Sequence, residues 1–272
     1  MYPIAILDLR ETSSSPANSR VDEKGFLSGR EISEDRLTTE KEFFRCSGLY
    51  GVTGILRKSS ILARMKLYLS SYRIAVPDEL FRLVGREPNK IKVALLPNAK
   101  DYYAPLAQDY KIRDIIRYQN DLGLMSVDIV DLRTFADSVS LYEKLKKYDL
   151  VWAVGGNTFC LRQEMKRSKF DQVIHPLLDE GVVYGGDSAG AVVAGTSLRG
   201  IESVDIPEFT EEVIYEGLRA VPYVLLPHAD NEYFKEANEQ TKQAHDGDDL
   251  ISLDDNQAAI FENDTFRIVS SG

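Results

Sequence analysis

Cysteine and histidine are scarce in this sequence of 272 residues, and each scarcity restricts its chemistry. The two cysteines, Cys46 and Cys160, are too few for a disulfide framework or a thiolate metal site. Free thiols are typical of a reducing cytoplasm. The three histidines leave few candidates for a general base. We expect no metal and no cofactor.

Long apolar runs and an excess of positive charge are also missing. No stretch approaches the ~18 apolar residues of a membrane helix, and the N-terminus lacks the basic and apolar segments of a signal peptide. The formal net charge is -10, whereas a nucleic-acid binder needs a basic face. We therefore expect a cytoplasmic protein without a membrane or nucleic-acid partner. Whether it forms a homodimer stays open.

The composition changes near residue 65. The stretch 12–36 is rich in Ser, Glu, Asp, Arg and Gly and has few large apolar residues. Such a stretch cannot bury enough surface to offset the entropy of ordering it. We interpret residues 1–64 as an N-terminal extension that is largely irregular or disordered, and residues 65–272 as the functional domain.

In this domain, apolar strands alternate with helices, which predicts an α/β fold with a mostly parallel, doubly wound sheet and helices on both faces. The predicted strands are 66–70, 91–96, 126–130, 150–154 and 182–184. The predicted helices are 77–84, 110–122, 139–147, 159–166 and 170–178. The C-terminal part is strand-rich, with predicted strands 223–226, 250–253, 258–261 and 266–269 and a hairpin turn at Asn263–Asp264.

A candidate nucleophile follows the strand 182–184. The segment Gly186-Asp187-Ser188-Ala189-Gly190 matches G-x-S-x-G, in which a sharp turn between strand and helix exposes the serine hydroxyl and glycines avoid clashes. The N–H groups of the following helix then face developing negative charge. The same segment also fits a glycine-rich turn whose serine caps a helix.

An oxyanion hole needs two donors. The backbone N–H of Ala189, directly after the candidate nucleophile, is one. The loop Gly155-Gly156-Asn157-Thr158 offers a second, because it follows a predicted strand and lies at the carboxyl edge of the sheet. This loop could equally be a plain turn in which Asn157 or Thr158 caps the next helix.

Among the three histidines, His228 has the most suitable position for a base. It follows the predicted strand 223–226, and we expect the end of this strand to lie at the carboxyl edge of the sheet. His175 lies within a predicted helix, where a structural or exposed position is expected. His245 lies at a polar helix end, where a positive side chain suits the helix dipole.

The acid that would orient this base has two candidates. Asp255 lies in a turn between two predicted strands, and Asp205 lies in the loop after the nucleophile helix. Either could accept a hydrogen bond from His228. The residues alone do not rank Asp255 above Asp205.

Five segments together resemble a known family: Lys66–Ser71, Val93–Ala99, Val154–Phe159, Gly186–Ala191 and Pro227–His228. Over roughly residues 65–270, the chain is similar to the peptidase family of aspartyl dipeptidase (dipeptidase E) and cyanophycinase, which are serine peptidases on a class I glutamine amidotransferase-like fold. The resemblance implies that Ser188 is the nucleophile and His228 the base, that Gly156 and Ala189 donate to the oxyanion, and that an acidic residue falls at Asp255, with a further acidic match at Asp205.

Two positions bear on how far the resemblance extends. Relatives often have Glu where this chain has Asp255, so the shorter side chain must lie closer to His228. The amidotransferases of this fold use a cysteine nucleophile, whereas position 188 is Ser and Cys160 is expected to be buried. Glutamine hydrolysis is therefore disfavoured.

The resemblance implies a dipeptidase E-type enzyme that hydrolyses small peptides, with an N-terminal Asp as the candidate specificity. Arg162 and Arg199 are the candidate cations for that carboxylate. Alternatives are a cyanophycinase-like hydrolase of β-Asp-Arg peptides and a non-catalytic amidotransferase-like binding protein. An α/β-hydrolase esterase with the order Ser188, Asp205, His228 is disfavoured, because no His-Gly-Gly segment precedes the serine.

Overall fold

A computed structural model describes residues 65–262 and 265–271. Its strands are β1 (Lys66–Ser70), β2 (Lys92–Leu96), β3 (Ser126–Ile129), β4 (Leu150–Ala153), β5 (Val183–Asp187), β6 (Val224–Leu226), β7 (Leu250–Ser252), β8 (Gln257–Glu262) and β9 (Thr265–Ser270). Its helices are α1 (Pro77–Val84), α2 (Pro105–Asp121), α3 (Ser138–Leu145), α4 (Thr158–Arg167), α5 (Phe170–Asp179), α6 (Ala189–Val192) and α7 (Lys235–Ala244). The predicted extension 1–64 and the predicted turn Asn263–Asp264 lie outside the described residues.

Seven strands form one sheet in the order β3-β2-β4-β5-β1-β8-β9. The strands from β3 to β1 in this order are parallel, and β8 and β9 extend the sheet antiparallel. The α/β class with a mostly parallel, doubly wound sheet, predicted from the alternation of strands and helices, is confirmed. The candidate nucleophile strand β5 lies near the middle of the sheet, between β4 and β1.

The strand that precedes His228 lies outside this sheet. β6 pairs with β7 in a separate parallel ladder of two strands. The sequence-based placement of this strand at the edge of the main sheet is therefore wrong. The reason is that β1 already pairs with β5 on one side and with β8 on the other, so no ladder position beside these central strands is free.

The apolar strands are buried on both faces, as expected for parallel strands covered by helices. Each residue of β4 is buried, and so are the first four residues of β5. The largest side chains with almost no exposure come from strands and helices alike and form one core: Trp152, Tyr68, Tyr184, Phe159 and Phe170. A core of this size holds the carboxyl ends of the central strands in fixed positions.

Glycines set the path of the chain at the end of β5. The strand runs on through Gly185 and Gly186, beyond the predicted end at residue 184, because Gly186 still pairs with β1 and β4. A Cβ on Gly185 would lie 2.5 Å from the Trp152 ring. A Cβ on Gly190 would lie 2.0 Å from the carbonyl oxygen of Ala153, so α6 packs directly on the β4 backbone.

Helix boundaries differ from the sequence prediction by up to five residues. α2 begins at Pro105, five residues before the predicted start, with proline in the first turn where its missing N–H costs nothing. The helix expected after Ser188 is short, since α6 has only four residues. None of the helices in residues 65–262 and 265–271 combines the length and apolarity needed to span a bilayer.

The close contact between α6 and β4 predicts that Gly190→Ala destabilises the protein. Its methyl group would meet a backbone oxygen that cannot rotate away, so we expect a loss of about 2 kcal/mol or more. Urea unfolding followed by circular dichroism measures this. Gly85→Asn is the matched control, since Gly85 has φ +76°, has no atom within 4 Å of its Cβ position, and Asn tolerates that conformation. Equal stability of wild type and Gly190→Ala would contradict the packing.

Candidate active site

Ser188 occupies a strained turn between β5 and α6. Its φ of 48° and ψ of -110° are rare for a residue with a side chain. Its N–H donates to the carbonyl oxygens of Ser70 and Ser71, both at 3.1 Å. Its own carbonyl accepts from the N–H groups of Ala191 and Val192. These bonds hold the backbone in the turn, so the G-x-S-x-G segment has the geometry that the pattern predicts.

His228 is fixed from several sides just after β6. It is buried, with 6% of its surface exposed, and its φ is 58°. Its N–H donates to Oγ of Ser71 at 2.7 Å, and its carbonyl accepts from Nδ2 of Asn238 at 3.0 Å. The imidazole stacks on the Phe234 ring with centroids 4.2 Å apart. The ring is thereby confined to one orientation.

A continuous chain of hydrogen bonds connects Ser188, His228 and Asp255. Oγ of Ser188 lies 3.0 Å from Nε2 of His228. Nδ1 of the same ring lies 2.5 Å from Oδ1 of Asp255, whose Oδ2 accepts from Nδ2 of Asn231 at 3.0 Å. The structure thus brings together the predicted nucleophile, the predicted base and the favoured acid.

The β6–β7 ladder explains why His228 meets Asp255. The N–H of Leu253 donates to the carbonyl of Leu226, and the N–H of Ala229 donates to the carbonyl of Leu253, both at 2.9 Å. The ladder therefore continues past both strand ends and carries the two following loops side by side. Parallel strands place their carboxyl ends at one edge, as the sequence argument assumed, although this edge belongs to the smaller sheet.

The surroundings of Asp255 keep it ionised. Partial burial acts to raise its pKa, but hydrogen bonds from His228 and Asn231 outweigh burial and hold the pKa below its ordinary value. An ionised carboxylate only accepts hydrogen bonds, so Nδ1 of His228 carries the hydrogen. Nε2 is then free to accept a proton from the Ser188 hydroxyl.

Asp205 does not form a hydrogen bond with His228. Its carboxylate accepts hydrogen bonds from the backbone N–H and the hydroxyl of Thr158, at the first turn of α4. That N–H has no partner within the helix, so the carboxylate satisfies it. Burial raises the pKa of Asp205, and the bonds from Thr158 only partly oppose this. Asp205 therefore binds a helix terminus. It does not take the role of the acid that orients His228, which the sequence had also allowed for it.

The glycine loop at 155–156 lies directly against the nucleophile turn. A Cβ on Gly155 would lie 3.1 Å from Cβ of Ser188, and one on Gly156 would lie 2.2 Å from the carbonyl oxygen of Ala99. The loop is also a helix cap, because Oδ1 of Asn157 accepts from the N–H of Cys160. The backbone N–H groups of Gly156 and Ala189 have no hydrogen-bond partner in the described part of the chain.

A cleft of about 340 Å³ is lined by Ser188, His228, Asp255 and the glycine loop 155–156. Besides the predicted residues, the cleft contains four side chains that the sequence argument did not select: Tyr72, Lys100, Asn231 and Phe234. It also contains Asp187, which the sequence offers only as part of the G-x-S-x-G segment. Lys100 follows the end of β2, so its position after a buried parallel strand was the available signal.

The two arginines considered for substrate binding lie elsewhere. Arg162 is buried in a bidentate ion pair with Asp171 at 2.8 and 3.0 Å, and its Nε donates to the carbonyl of Glu216. The Arg199 guanidinium stacks on the Tyr215 ring at 4.4 Å. Neither side chain lines the cleft, and the assignment of these cations is therefore wrong.

Cys160, His175 and His245 do not line the cleft. Cys160 is buried as expected, and burial raises its thiol pKa to about 12, so the thiol stays protonated. His175 is exposed on α5. His245 is buried, with Nδ1 2.8 Å from Asp248. In the ranges 65–262 and 265–271, no cluster of His, Cys, Asp or Glu side chains could hold a metal ion.

The architecture defines a protein of the class I glutamine amidotransferase-like fold. A crystal structure of a Listeria monocytogenes protein with a provisional peptidase E assignment matches with a TM-score of 0.65 and 23% identity, covering 76% of this chain and 99% of that one. A peptidase from an acI-B1 Actinobacterium matches with a TM-score of 0.58 and 19% identity, covering 77% and 90%. At these identities the likeness establishes the fold alone.

The family model of peptidase family S51 matches residues 70–269, and the chain belongs to this family. An uncharacterized peptidase of L. monocytogenes is 34% identical over 142 residues, which span 52% of this chain and 68% of the relative. Another from Pasteurella multocida is 27% identical over 75% of this chain and 96% of the relative. Peptidase E of Haemophilus influenzae is 30% identical over 40% and 48%. The family predicted from the sequence is confirmed.

The opposite pKa directions of the two aspartates predict opposite pH trends. The folded state holds the proton of Asp205 more tightly than the unfolded chain does, so this group costs stability once pH rises above about 4. The stability advantage of wild type over Asp205→Asn should therefore shrink as pH rises from there. Asp255, with its lowered pKa, should lose its contribution only as pH falls below about 4.

Urea unfolding of wild type, Asp205→Asn and Asp255→Asn at a series of pH values on both sides of about 4 measures both trends. The two variants serve as controls for each other, because each removes one carboxylate and keeps its shape. Parallel pH trends for the two variants would contradict the assigned surroundings.

Proposed function

We propose that this protein is a serine peptidase of the dipeptidase E type, with Ser188, His228 and Asp255 as its catalytic triad. The observation that carries the proposal is the hydrogen-bond chain from Ser188 through both nitrogens of His228 to Asp255, with distances of 3.0 and 2.5 Å. Membership of a peptidase family and the position of this chain at an open cleft support it. A serine that merely caps a helix needs no such partners.

In the first step, Oγ of Ser188 attacks the carbonyl carbon of the scissile peptide bond. Its proton passes to Nε2 of His228, which becomes an imidazolium. Asp255 accepts the hydrogen bond from Nδ1 and stabilises this positive charge. The N–H groups of Gly156 and Ala189 are the proposed donors to the oxyanion, and their freedom from other partners within the described residues supports this role.

The tetrahedral intermediate then collapses. His228 returns the proton to the departing amine, the C–N bond breaks, and an acyl ester on Ser188 remains. A water molecule gives its proton to His228 and attacks the ester, and a second collapse releases the acid and regenerates the Ser188 hydroxyl. Apart from this water molecule and the substrate, these steps use only side chains and backbone groups of this chain.

The proposed substrates are small peptides with an N-terminal Asp. A cleft of about 340 Å³ suits a few residues better than a folded polypeptide. Relatives named Peptidase E occur in H. influenzae and P. multocida. The presence of a cation, Lys100, in the cleft favours an acidic substrate group over the basic side chain of a β-Asp-Arg peptide.

Replacing the nucleophile tests the proposal directly. Ser188→Ala should lose hydrolysis of Asp-X dipeptides by about 10⁶-fold and should no longer react with a fluorophosphonate probe. Wild type should form a covalent adduct on Ser188, which mass spectrometry of the digested protein locates. Full peptidase activity of Ser188→Ala, or no reaction of the wild type with probe and peptides, would overturn the proposal.

The choice between the two acids is tested by matched amide substitutions. Asp255→Asn should reduce kcat by about 10³- to 10⁴-fold, because an amide cannot stabilise the imidazolium or fix its tautomer. Asp205→Asn should have a far smaller effect, since Asp205 binds the α4 terminus. Peptide hydrolysis at neutral pH, with far-UV circular dichroism to confirm folding, measures both. A larger loss for Asp205→Asn would reverse the assignment.

A further inference from the structure

The ionisable side chains of the cleft differ in whether they already have partners. His228 and Asp255 are bound to each other. Asp187 accepts from Nε1 of Trp152 at 3.0 Å and from the backbone N–H of Gly155. The Lys100 ammonium has no hydrogen bond or ion pair with any residue in the described ranges, and it lies 6.0 Å from the centroid of the Tyr103 ring. Among the described residues, Lys100 is therefore the charged side chain of the cleft that has no partner.

The backbone of Lys100 is held rigidly. It ends a short 3-10 turn, Asn98–Lys100, and its N–H donates to the carbonyl of Pro97 at 2.8 Å. The side chain of Asn98 anchors this turn, because its Nδ2 donates to Asp101 and Asp131, both at 2.9 Å. A cation on such a support can distinguish substrates by position as well as by charge.

The same turn contacts the proposed oxyanion loop. The carbonyl of Ala99 accepts from the N–H of Asn157 at 2.8 Å, and it approaches Gly156 so closely that no side chain would fit. Lys100 is the next residue after Ala99. Its distance from the reacting carbonyl is therefore tied to the loop that would bind the oxyanion.

The surroundings of Lys100 leave its charge poorly compensated. Burial lowers its pKa, and the nearby carboxylates of Asp187 and Asp205 only partly oppose this. Asp187 is hydrogen-bonded to Trp152, and Asp205 is hydrogen-bonded to Thr158. Neither carboxylate forms an ion pair with the ammonium. An incoming carboxylate would supply the missing partner.

We propose that Lys100 is the specificity-determining residue of the cleft and forms an ion pair with the side-chain carboxylate of an acidic N-terminal residue in the substrate. This inference rests on the proposed peptidase function and adds the residue that selects the substrate. Lys100 takes no part in the bond-breaking steps. It acts by binding the acyl part of the peptide beside Ser188.

The test compares two substrates that differ in charge but hardly in shape, Asp-p-nitroanilide and Asn-p-nitroanilide. Wild type should prefer Asp. In Lys100→Met, the ratio of kcat/KM for Asp over Asn should fall by about 10- to 100-fold, the effect of losing one charged hydrogen bond. The loss should appear mainly as a higher KM for the Asp substrate, because the ion pair is present both in the enzyme–substrate complex and in the transition state.

Two further variants separate charge from structure. Lys100→Arg keeps the positive charge and should retain most of the preference for Asp. Lys111→Met is the matched control, because Lys111 is exposed, packs over the same Tyr103 ring at 5.4 Å and does not line the cleft. It should keep the wild-type ratio. Labelling of Ser188 in Lys100→Met by a fluorophosphonate shows that the nucleophile turn has folded.

The outcomes distinguish the two levels of the proposal. An unchanged ratio of Asp to Asn hydrolysis in Lys100→Met overturns the role of Lys100 and leaves the peptidase function standing. A wild type that hydrolyses these substrates without preferring Asp does the same. Failure of the wild type to hydrolyse any peptide or to react with the probe overturns both.

Discussion

The end of β1 holds the whole site together. Ser70 and Ser71 are fully buried, and their carbonyl oxygens both accept from the N–H of Ser188. The hydroxyl of Ser71 accepts from the N–H of His228, and the N–H of Ser71 donates to the carbonyl of Gln257 just after the Asp255 turn. Because a buried backbone N–H needs a partner, these bonds fix three distant loops relative to one another.

Strain at two residues is a consequence of this anchoring. Ser188 and His228 both have positive φ values, a conformation that normally costs free energy for residues with side chains. Each is held by hydrogen bonds on both its N–H and its carbonyl, and Phe234 covers the imidazole. The core beneath stabilises a geometry that the isolated loops would not keep. The hydroxyl and the imidazole are therefore in contact before a substrate arrives.

The two aspartates show how environment divides roles among identical side chains. Asp255 is only partly buried and receives hydrogen bonds from His228 and Asn231, which keep its pKa low. Asp205 is more deeply buried, against the first turn of α4, and its pKa is raised. The first carboxylate can stabilise an imidazolium, whereas the second binds the N-terminus of a helix. Spacing along the chain carries no information about either environment.

The sequence by itself determined what depends on neighbouring residues: the alternation of strands and helices, the turn at Ser188 with its glycines, and the position of His228 after a strand. Only the tertiary structure decided that β6 pairs with β7 outside the main sheet, that Asp255 and not Asp205 meets His228, and that Ser71 and Lys100 belong to the site. The physical reason is separation. Local patterns follow from backbone geometry over a few residues, whereas Ser71 and His228 lie 157 positions apart and meet only when the strands that carry them pack.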